Sequence, residues 1–365
     1  MHIVYLIERI DTTGGIERSL TVRVNYLIKN YNYKVTIVCT EKDNGIPSYE
    51  LDNAVNLVFL GKLVSKKSVL SRIHLRYQQS RMIINELNPD ILISVKYTLH
   101  NLFFNLFQSK VKLISEIREP LEQYNDSVKN SIKAKFYQKL RDFTLRRQDV
   151  MIVLTESDKK SWGFKNIKVV PNPKTIHSDI VSELSNKQVL AIGRLNKVKG
   201  FDKLLDVWKI VNKKHPEWLL KICGEGEEYE GLMLKTKKIG LENNVIYTNK
   251  FLPIIPEFLN SSLFVLTSQF EAFGNVLVEA KICGVPIVAF DAPNGPREII
   301  IEGEDGFVVG LNNINAMADK ISYLIENPSL RKKMGLLGKQ NSEIYDAYAI
   351  IEDYNAILIE CLENN

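Results

Sequence analysis

Two glutamates, Glu271 and Glu279, lie eight positions apart, and the residues between them suit the recognition of a diphosphate. Gly274, Asn275, Val276 and Leu277 open a helical pattern. The N–H groups of a helix's first turn have no partner within the helix and lie at the positive end of its dipole, which makes an anion site. At ~1.5 Å rise per residue, Glu279 sits ~6 Å along the axis from Asn275, about where a ribose on that diphosphate would need an acceptor. Glu271, in the turn before the helix, would reach the group on the other side of the diphosphate. Two solvent-exposed glutamates on an ordinary helix would show the same spacing. A second pair, Arg194 and Lys199, lies in GRLNKVKG, residues 193–200. Both cations leave the carboxyl end of a strand. A departing diphosphate gathers charge as its bond breaks, and fixed cations there would stabilise it. A solvated basic loop is the alternative on these residues alone, and the glutamates downstream argue against it.

The elements that must hold these groups are legible. Residues 263–267 are a short apolar run of β-formers and read as a buried parallel strand. Residues 268–274 are a polar turn ending in glycine. Residues 275–283 read as a helix with Val276, Leu277, Ala280 and Cys283 on one face, Gly284 as its stop, and 285–290 as the next strand. The turn therefore lies at the carboxyl edge of a parallel sheet, where open α/β folds bind ligands. Residues 188–193 are likewise a strand leading through the Arg194–Lys199 loop to a helix at 201–213.

Earlier in the chain, a strand at 2–7, a loop at 8–15 and a helix at 16–30 begin a Rossmann-like unit. No G-x-G-x-x-G is present, so a dinucleotide site is not supported there. Further strands are expected at 34–39, 55–60, 90–95, 111–116 and 149–155, with helices at 69–87 and 131–149. A polar stretch at 174–187 reads as a linker, and a last helix covers 345–363. No zinc-ligand spacing and no D-x-D pair at a strand end appear, so no metal site is expected.

The run EAFGNVLVE, continued by AKICGVPIV, resembles the E-x7-E signature of family-4 retaining glycosyltransferases, and DAPNGPREII at 291–300 resembles the members that add hexose or N-acetylhexosamine to polysaccharide and lipid-linked precursors. The likeness covers nearly the whole chain, with 45–110 matching only in general pattern. It implies an α/β GT-B fold: two Rossmann-like parallel-sheet domains facing across a cleft, residues 1–174 on the acceptor side and 175–344 on the donor side, with helix 345–365 packing back on the first. It implies that Arg194 and Lys199 clamp the donor diphosphate, that Glu271 joins them as a catalytic group, and that Gly274 to Leu277 and Glu279 bind the donor. Gly14 and Gly15, in GGIER, resemble a glycine loop that closes over the diphosphate, although a plain turn would also contain such a pair. Glu116 and Arg118 fall where the family places acceptor-side groups. Here SEIREP departs from the family pattern, with the arginine shifted by one position and no histidine present. His100 is the histidine that could substitute, and it also reads as a surface or capping residue.

The function so implied is transfer, with retention, from a nucleotide-diphosphate sugar, UDP by the subgroup likeness, to a glycan or lipid-linked acceptor in surface polysaccharide synthesis. The donor is a substrate, and no cofactor or metal is expected. A non-catalytic sugar-nucleotide-binding subunit is the alternative, against which the joint presence of Glu271, Arg194 and Lys199 argues. An epimerase or phosphorylase of the same fold is less suited, the chain being short for a phosphorylase.

Composition sets bounds. The 365 residues suit two domains, and 45% hydrophobic with 25% charged residues is the balance of a globular chain. No apolar run reaches the ~18 residues of a membrane span, no signal peptide is read, and four scattered cysteines (Cys39, Cys223, Cys283, Cys361) fit a reducing cytoplasm. Charge is divided: residues 1–175 carry 28 Lys and Arg against 17 Asp and Glu, whereas the remainder carries 20 against 26. Two basic stretches, Lys62 to Arg81 with Leu70, Ile73 and Tyr77 at helical spacing, and Lys129 to Arg147 with Phe136 and Tyr137, predict docking on an anionic membrane face. Solvated helix faces or an acidic glycan acceptor would account for the same charge. Nucleic acid is not expected as a partner.

Overall fold

The computed structural model describes residues 1–41, 45–60, 69–96, 111–126, 132–248 and 253–363. His100, Lys62, Lys66, Lys67, Lys129 and the segment 250–252 lie outside the described residues, as do the side chains of Leu70, Arg72, Ile73, Arg76 and Lys133. The chain divides into two compact units, Met1–Pro173 with Ala347–Asn365, and Lys174–Asp346.

Among the described residues, the first unit contains seven parallel strands: β1 (His2–Ile7), β2 (Lys34–Cys39), β3 (Asn56–Phe59), β4 (Ile91–Val95), β5 (Lys112–Glu116), β6 (Val150–Val153) and β7 (Ile167–Val169). Their order is β3-β2-β1-β4-β5-β6-β7. The central strands are continuous apolar runs because helices cover both faces of such a sheet, and β1 is buried from Ile3 onward. Helix Ala347–Glu363 packs against helix Gly15–Tyr31 in this unit. Tyr354 reaches the sheet and shares a hydrogen bond with the Tyr5 hydroxyl at 3.3 Å.

The second unit contains β8 (Gln188–Ile192), β9 (Leu219–Cys223), β10 (Val245–Thr248), β11 (Leu263–Leu266), β12 (Ile287–Phe290) and β13 (Gly306–Val309), again all parallel among the described residues. The order is β10-β9-β8-β11-β12-β13. From β8 the chain works outward through β9 and β10, then returns to β11 beside β8 and works outward the other way. The strand order therefore reverses between β8 and β11, and it is beyond the carboxyl ends of such a pair that open parallel sheets form a ligand crevice. Helices Phe201–Lys214 and Ile314–Glu326 pack together with the sheet around the fully buried Trp208.

Three readings of the sequence are corrected. The polar stretch at 174–187 is no free linker. Ser182 N–H donates to the Cys283 carbonyl at 2.9 Å, its hydroxyl donates to the Ser261 carbonyl at 2.7 Å, and Leu184 is buried. Helix Asn275–Ile282 is not one-faced: Val276 is half-buried, while Leu277 to Ile282 are all buried. Tyr77, expected on an outward apolar stripe, packs instead against the core of the first unit, and Arg141, counted among the surface cations, is buried over the Trp162 ring at 4.8 Å.

Candidate functional site

The crevice between β8 and β11 is built by two loops that hydrogen-bond to each other. After β8 the chain makes a 3₁₀ turn, Lys197–Lys199, capped by the Asn196 side chain, which accepts from the Lys199 N–H at 3.2 Å. After β11, the Thr267 hydroxyl donates to the Lys199 carbonyl at 3.0 Å and the Gln269 N–H donates to the Val198 carbonyl at 2.7 Å. These bonds fix the backbone of Lys199 beside the turn that carries Glu271. The side chains then meet: Lys199 Nζ lies 2.6 Å from Glu271 Oε2, which also accepts from Ser268 Oγ at 2.9 Å. Neither is sealed in, with side-chain exposures of 24% for Lys199 and 13% for Glu271. Arg194, on the same loop, is solvent-exposed.

The turn ends at Gly274, whose φ of +92° lies in the left-handed region that L side chains rarely adopt. It caps helix Asn275–Ile282 without any side-chain cap, and the Leu277 N–H, expected among the donor-binding groups, turns back instead to the Gly274 carbonyl at 2.8 Å. Glu271 is also held through its main chain, its carbonyl accepting from the Gly295 N–H at 2.8 Å. A Cβ at position 295 would run into the carbonyl oxygens of Phe273 and Glu271, so this close approach requires glycine.

Glu279 differs from the exposed residue that an ordinary amphipathic helix would carry. It is only 2% exposed, and its carboxylate accepts from the Thr175 hydroxyl at 3.4 Å. The structure thus gathers Lys199, Glu271 and the start of helix Asn275–Ile282 at one edge, with Arg194 exposed on the Lys199 loop and Glu279 within the helix's buried part.

The first unit treats its expected groups differently. Gly14 caps helix Gly15–Tyr31 with ordinary extended backbone, and Gly15 is exposed. A Cβ on Gly14 would collide with the carboxylate of Glu17, which folds back over the loop and accepts from the Thr12 hydroxyl at 2.6 Å. Glu116 and Arg118 do not lie open to a ligand. Glu116 is fully buried, ion-paired with both Arg23 and Arg118, and accepts from the Tyr354 hydroxyl at 2.7 Å. Arg118 donates on to Asn172 at 2.8 Å, and the Arg23 guanidinium stacks over the Tyr354 ring at 4.3 Å. Burial alone would push the Glu116 carboxyl up; the guanidinium groups of Arg118 and Arg23 overcome it and hold the group down at about 2.

Sequence reasoning missed Arg23, Tyr354 and Asn172. A signal existed for the first: Leu20, Arg23, Val24 and Leu27 share one helical face, and a cation on an apolar face calls for a buried partner.

Residues 174–341 match the family described as Glycosyl transferases group 1. An uncharacterized glycosyltransferase of Haemophilus influenzae is 31% identical, over 97% of this chain and 99% of that protein. The amylovoran biosynthesis glycosyltransferase AmsD of Erwinia amylovora is also 31% identical, over 98% and 99% of the two chains. Among solved structures, a mutant of S. aureus TarM in complex with fondaparinux, α-GlcNAc-glycerol and UDP superposes with a TM-score of 0.80 at 17% identity, over the whole of both chains. A loop crossing between two parallel-strand ends, present in a chain so extensively alike to these enzymes, leaves one assignment: the protein belongs to the GT-B glycosyltransferases.

Proposed function

We propose that the enzyme moves a hexose or N-acetylhexosamine from a UDP-sugar to a glycan or lipid-linked glycan, with retention of anomeric configuration, in the synthesis of a surface polysaccharide. The observation that carries this reading is the Lys199–Glu271 contact beside the glycine-led start of helix Asn275–Ile282. A carboxylate and an ammonium beside a helix N-terminus suit a sugar joined to a diphosphate. The diphosphate would lie at the helix start, with Arg194 and Lys199 taking up charge as the glycosidic bond breaks. The backbone of Gly274 to Val276 would approach the diphosphate, and Glu279 would accept from the ribose. Glu271 would act on the transferred sugar. The acceptor hydroxyl would attack on the face the leaving group vacates, passing its proton to the departing diphosphate. These groups supply the positive field without a metal.

AmsD, named for amylovoran biosynthesis, supports the polysaccharide reading, and UDP in the TarM complex supports the choice of nucleotide. The test is a panel of UDP-, GDP- and ADP-sugars with lipid-linked and free glycan acceptors, followed by NMR of the product's anomeric carbon. Acceptor-dependent release of UDP and an unchanged anomer are expected. Turnover with GDP- or ADP-sugars alone would overturn the nucleotide, and an inverted anomer would overturn retention.

We infer also that the first unit docks on an anionic membrane face at the inner side of the cell membrane. Phe136, Tyr137 and Phe143 are exposed along helix Ile132–Leu145, interleaved with exposed Lys135 and Lys139 and followed by exposed Arg146 and Arg147. Aromatic rings between cations are what an interfacial helix presents to a bilayer. No helix among the described residues is long and apolar enough to cross a membrane. Attachment at one face would bring the enzyme to a lipid-linked acceptor.

A further inference from the structure

Lys281 and Asp305 form an ion pair at 2.8 Å in the interior of the second unit, with side-chain exposures of 1% and 0%. Neither side chain can reach a substrate. Two charges taken out of water cost several kcal/mol each, and well-packed apolar residues of similar volume would often serve stability as well or better. The pair is nevertheless hydrogen-bonded at both ends. Lys281 Nζ also donates to the Ile299 carbonyl at 2.6 Å. Asp305 accepts at Oδ1 from the Ile301 N–H at 2.9 Å and at Oδ2 from the Asn341 side-chain amide at 2.9 Å.

The connections of this pair lead back to the crevice. Lys281 sits two residues after Glu279 on helix Asn275–Ile282. Ile299 ends the short helix Gly295–Ile299, and Gly295 at its start donates to the Glu271 carbonyl at 2.8 Å. The chain therefore closes a ring: from Glu271 through the glycine turn and along the helix to Lys281, across to Ile299, and back through Gly295 to Glu271. Both glutamates lie on this ring. Asn341 braces it from outside, at the end of helix Pro328–Asn341, where a Cβ added at Gly338 would lie in van der Waals contact with the same two side chains.

We propose that Lys281 and Asp305 are positioning residues for the donor site, fixing the helix that carries Glu279 against the segment that holds Glu271 so that the two carboxylates keep one separation. This rests on the reading of Glu279 and Glu271 as donor-binding groups. An apolar pair could fill the same volume, but it would lack the directional bonds of Lys281 to Asp305 and to the Ile299 carbonyl, which tie the helix to a carboxylate itself held by Ile301 and Asn341. Specificity of geometry, rather than stability, is what the buried pair supplies.

The test compares wild type with Lys281→Met/Asp305→Leu, Lys281→Arg and Glu279→Gln. It measures melting temperature, amide hydrogen exchange over 271–282, and dissociation constants for UDP, GDP and ADP. The double variant removes both charges and leaves none unpaired. It is expected to melt near wild type, yet to exchange its amides at 274–279 at least ~10-fold faster and to bind the preferred nucleotide at least ~10-fold more weakly, since added local opening lowers the competent fraction. Lys281→Arg, which keeps a donor cation, is expected to recover part of both losses. Unchanged exchange in the double variant overturns the inference, as does loss of affinity only in proportion to a collapsed melting temperature. If Glu279→Gln leaves nucleotide affinity unchanged, the donor reading fails instead, and the exchange result still decides whether the pair fixes the helix.

Discussion

Lys199 and Glu271 are 72 positions apart in the chain and 2.6 Å apart in space. They meet because the strand order reverses between β8 and β11, so two loops distant in sequence leave adjacent strand ends. In this arrangement the carboxylate holds the ammonium at the mouth of the crevice, where an arriving diphosphate would compete for it. Lys199→Ala and Arg194→Ala should each reduce turnover by roughly two orders of magnitude or more, the scale of a lost charge-stabilising donor. Their melting temperatures should stay close to wild type because both side chains are at least partly exposed. Steady-state kinetics with UDP-sugars checks this, and near-normal turnover in both variants would remove these residues from the mechanism.

The two glutamates should separate by kinetic signature. Glu279→Gln is expected to weaken binding of free UDP and of donor alike, because a ribose contact is shared by ground and transition states. Glu271→Gln is expected to lower turnover while leaving affinity for free UDP nearly unchanged. Calorimetry with UDP beside kinetics with the donor distinguishes them. Equal loss of UDP affinity in both variants would show that the proposed orientation of the donor is wrong.

Acid should loosen the first unit through Glu116. Its folded carboxyl sits at about 2, below the ~4.3 of an unfolded glutamate. A group depressed on folding contributes stability that is complete above the unfolded value and is lost as pH falls towards the folded one. Melting temperature should therefore fall between pH ~5 and ~2, and less steeply in Glu116→Gln. At pH 7 that variant leaves Arg23 and Arg118 without their carboxylate and should lose about 3–5 kcal/mol, whereas Tyr354→Phe, which removes one bond to a charged group, should lose about 1.5–3 kcal/mol. Chemical denaturation at pH 7 and pH 3 would read both effects. An unchanged pH slope in Glu116→Gln would place the acid sensitivity elsewhere.

Membrane docking should follow charge. Cosedimentation with vesicles should rise with anionic lipid and fall with salt. Lys135→Glu with Lys139→Glu should weaken it at ~1 kcal/mol for each basic residue lost near the surface. Phe136→Ala should weaken it further without changing the salt dependence. Equal partitioning to neutral and anionic vesicles would rule docking out.

The parts legible in the sequence are those fixed by local pattern. The apolar run of β11, the glycine at 274 and the start of the following helix are all readable because a buried parallel strand and a left-handed cap each restrict residue type. The adjacency of Lys199 and Glu271 was readable only by likeness to relatives, since strand order is not written in any window of sequence. Burial of polar groups was largely hidden. Residues 174–187 look like a solvated linker because their anchoring is by hydrogen bonds to backbone carbonyls, such as that of Ser182 to Ser261, which leave no periodic trace. Glu116 and Arg118 looked like open site residues for the same reason: their partners Arg23 and Tyr354 come from distant helices.

The hydrogen bond between Tyr5 and Tyr354 spans 349 positions, and it bears on the order in which a nascent chain can mature. Lys174–Asp346 is one continuous stretch and can close as soon as it leaves the ribosome. The earlier-made sheet is completed only by helix Ala347–Glu363, which follows that stretch in the chain. At ~5–20 residues per second the delay is on the order of ten seconds or more. Throughout it Arg23, Glu116 and Arg118 lack the phenol that completes their cluster. The unit interrupted in sequence is thus completed only after the one inserted in it, and a chain stalled before Ala347 should leave the sheet of β1 to β7 more open to proteases than the unit that carries Lys199 and Glu271.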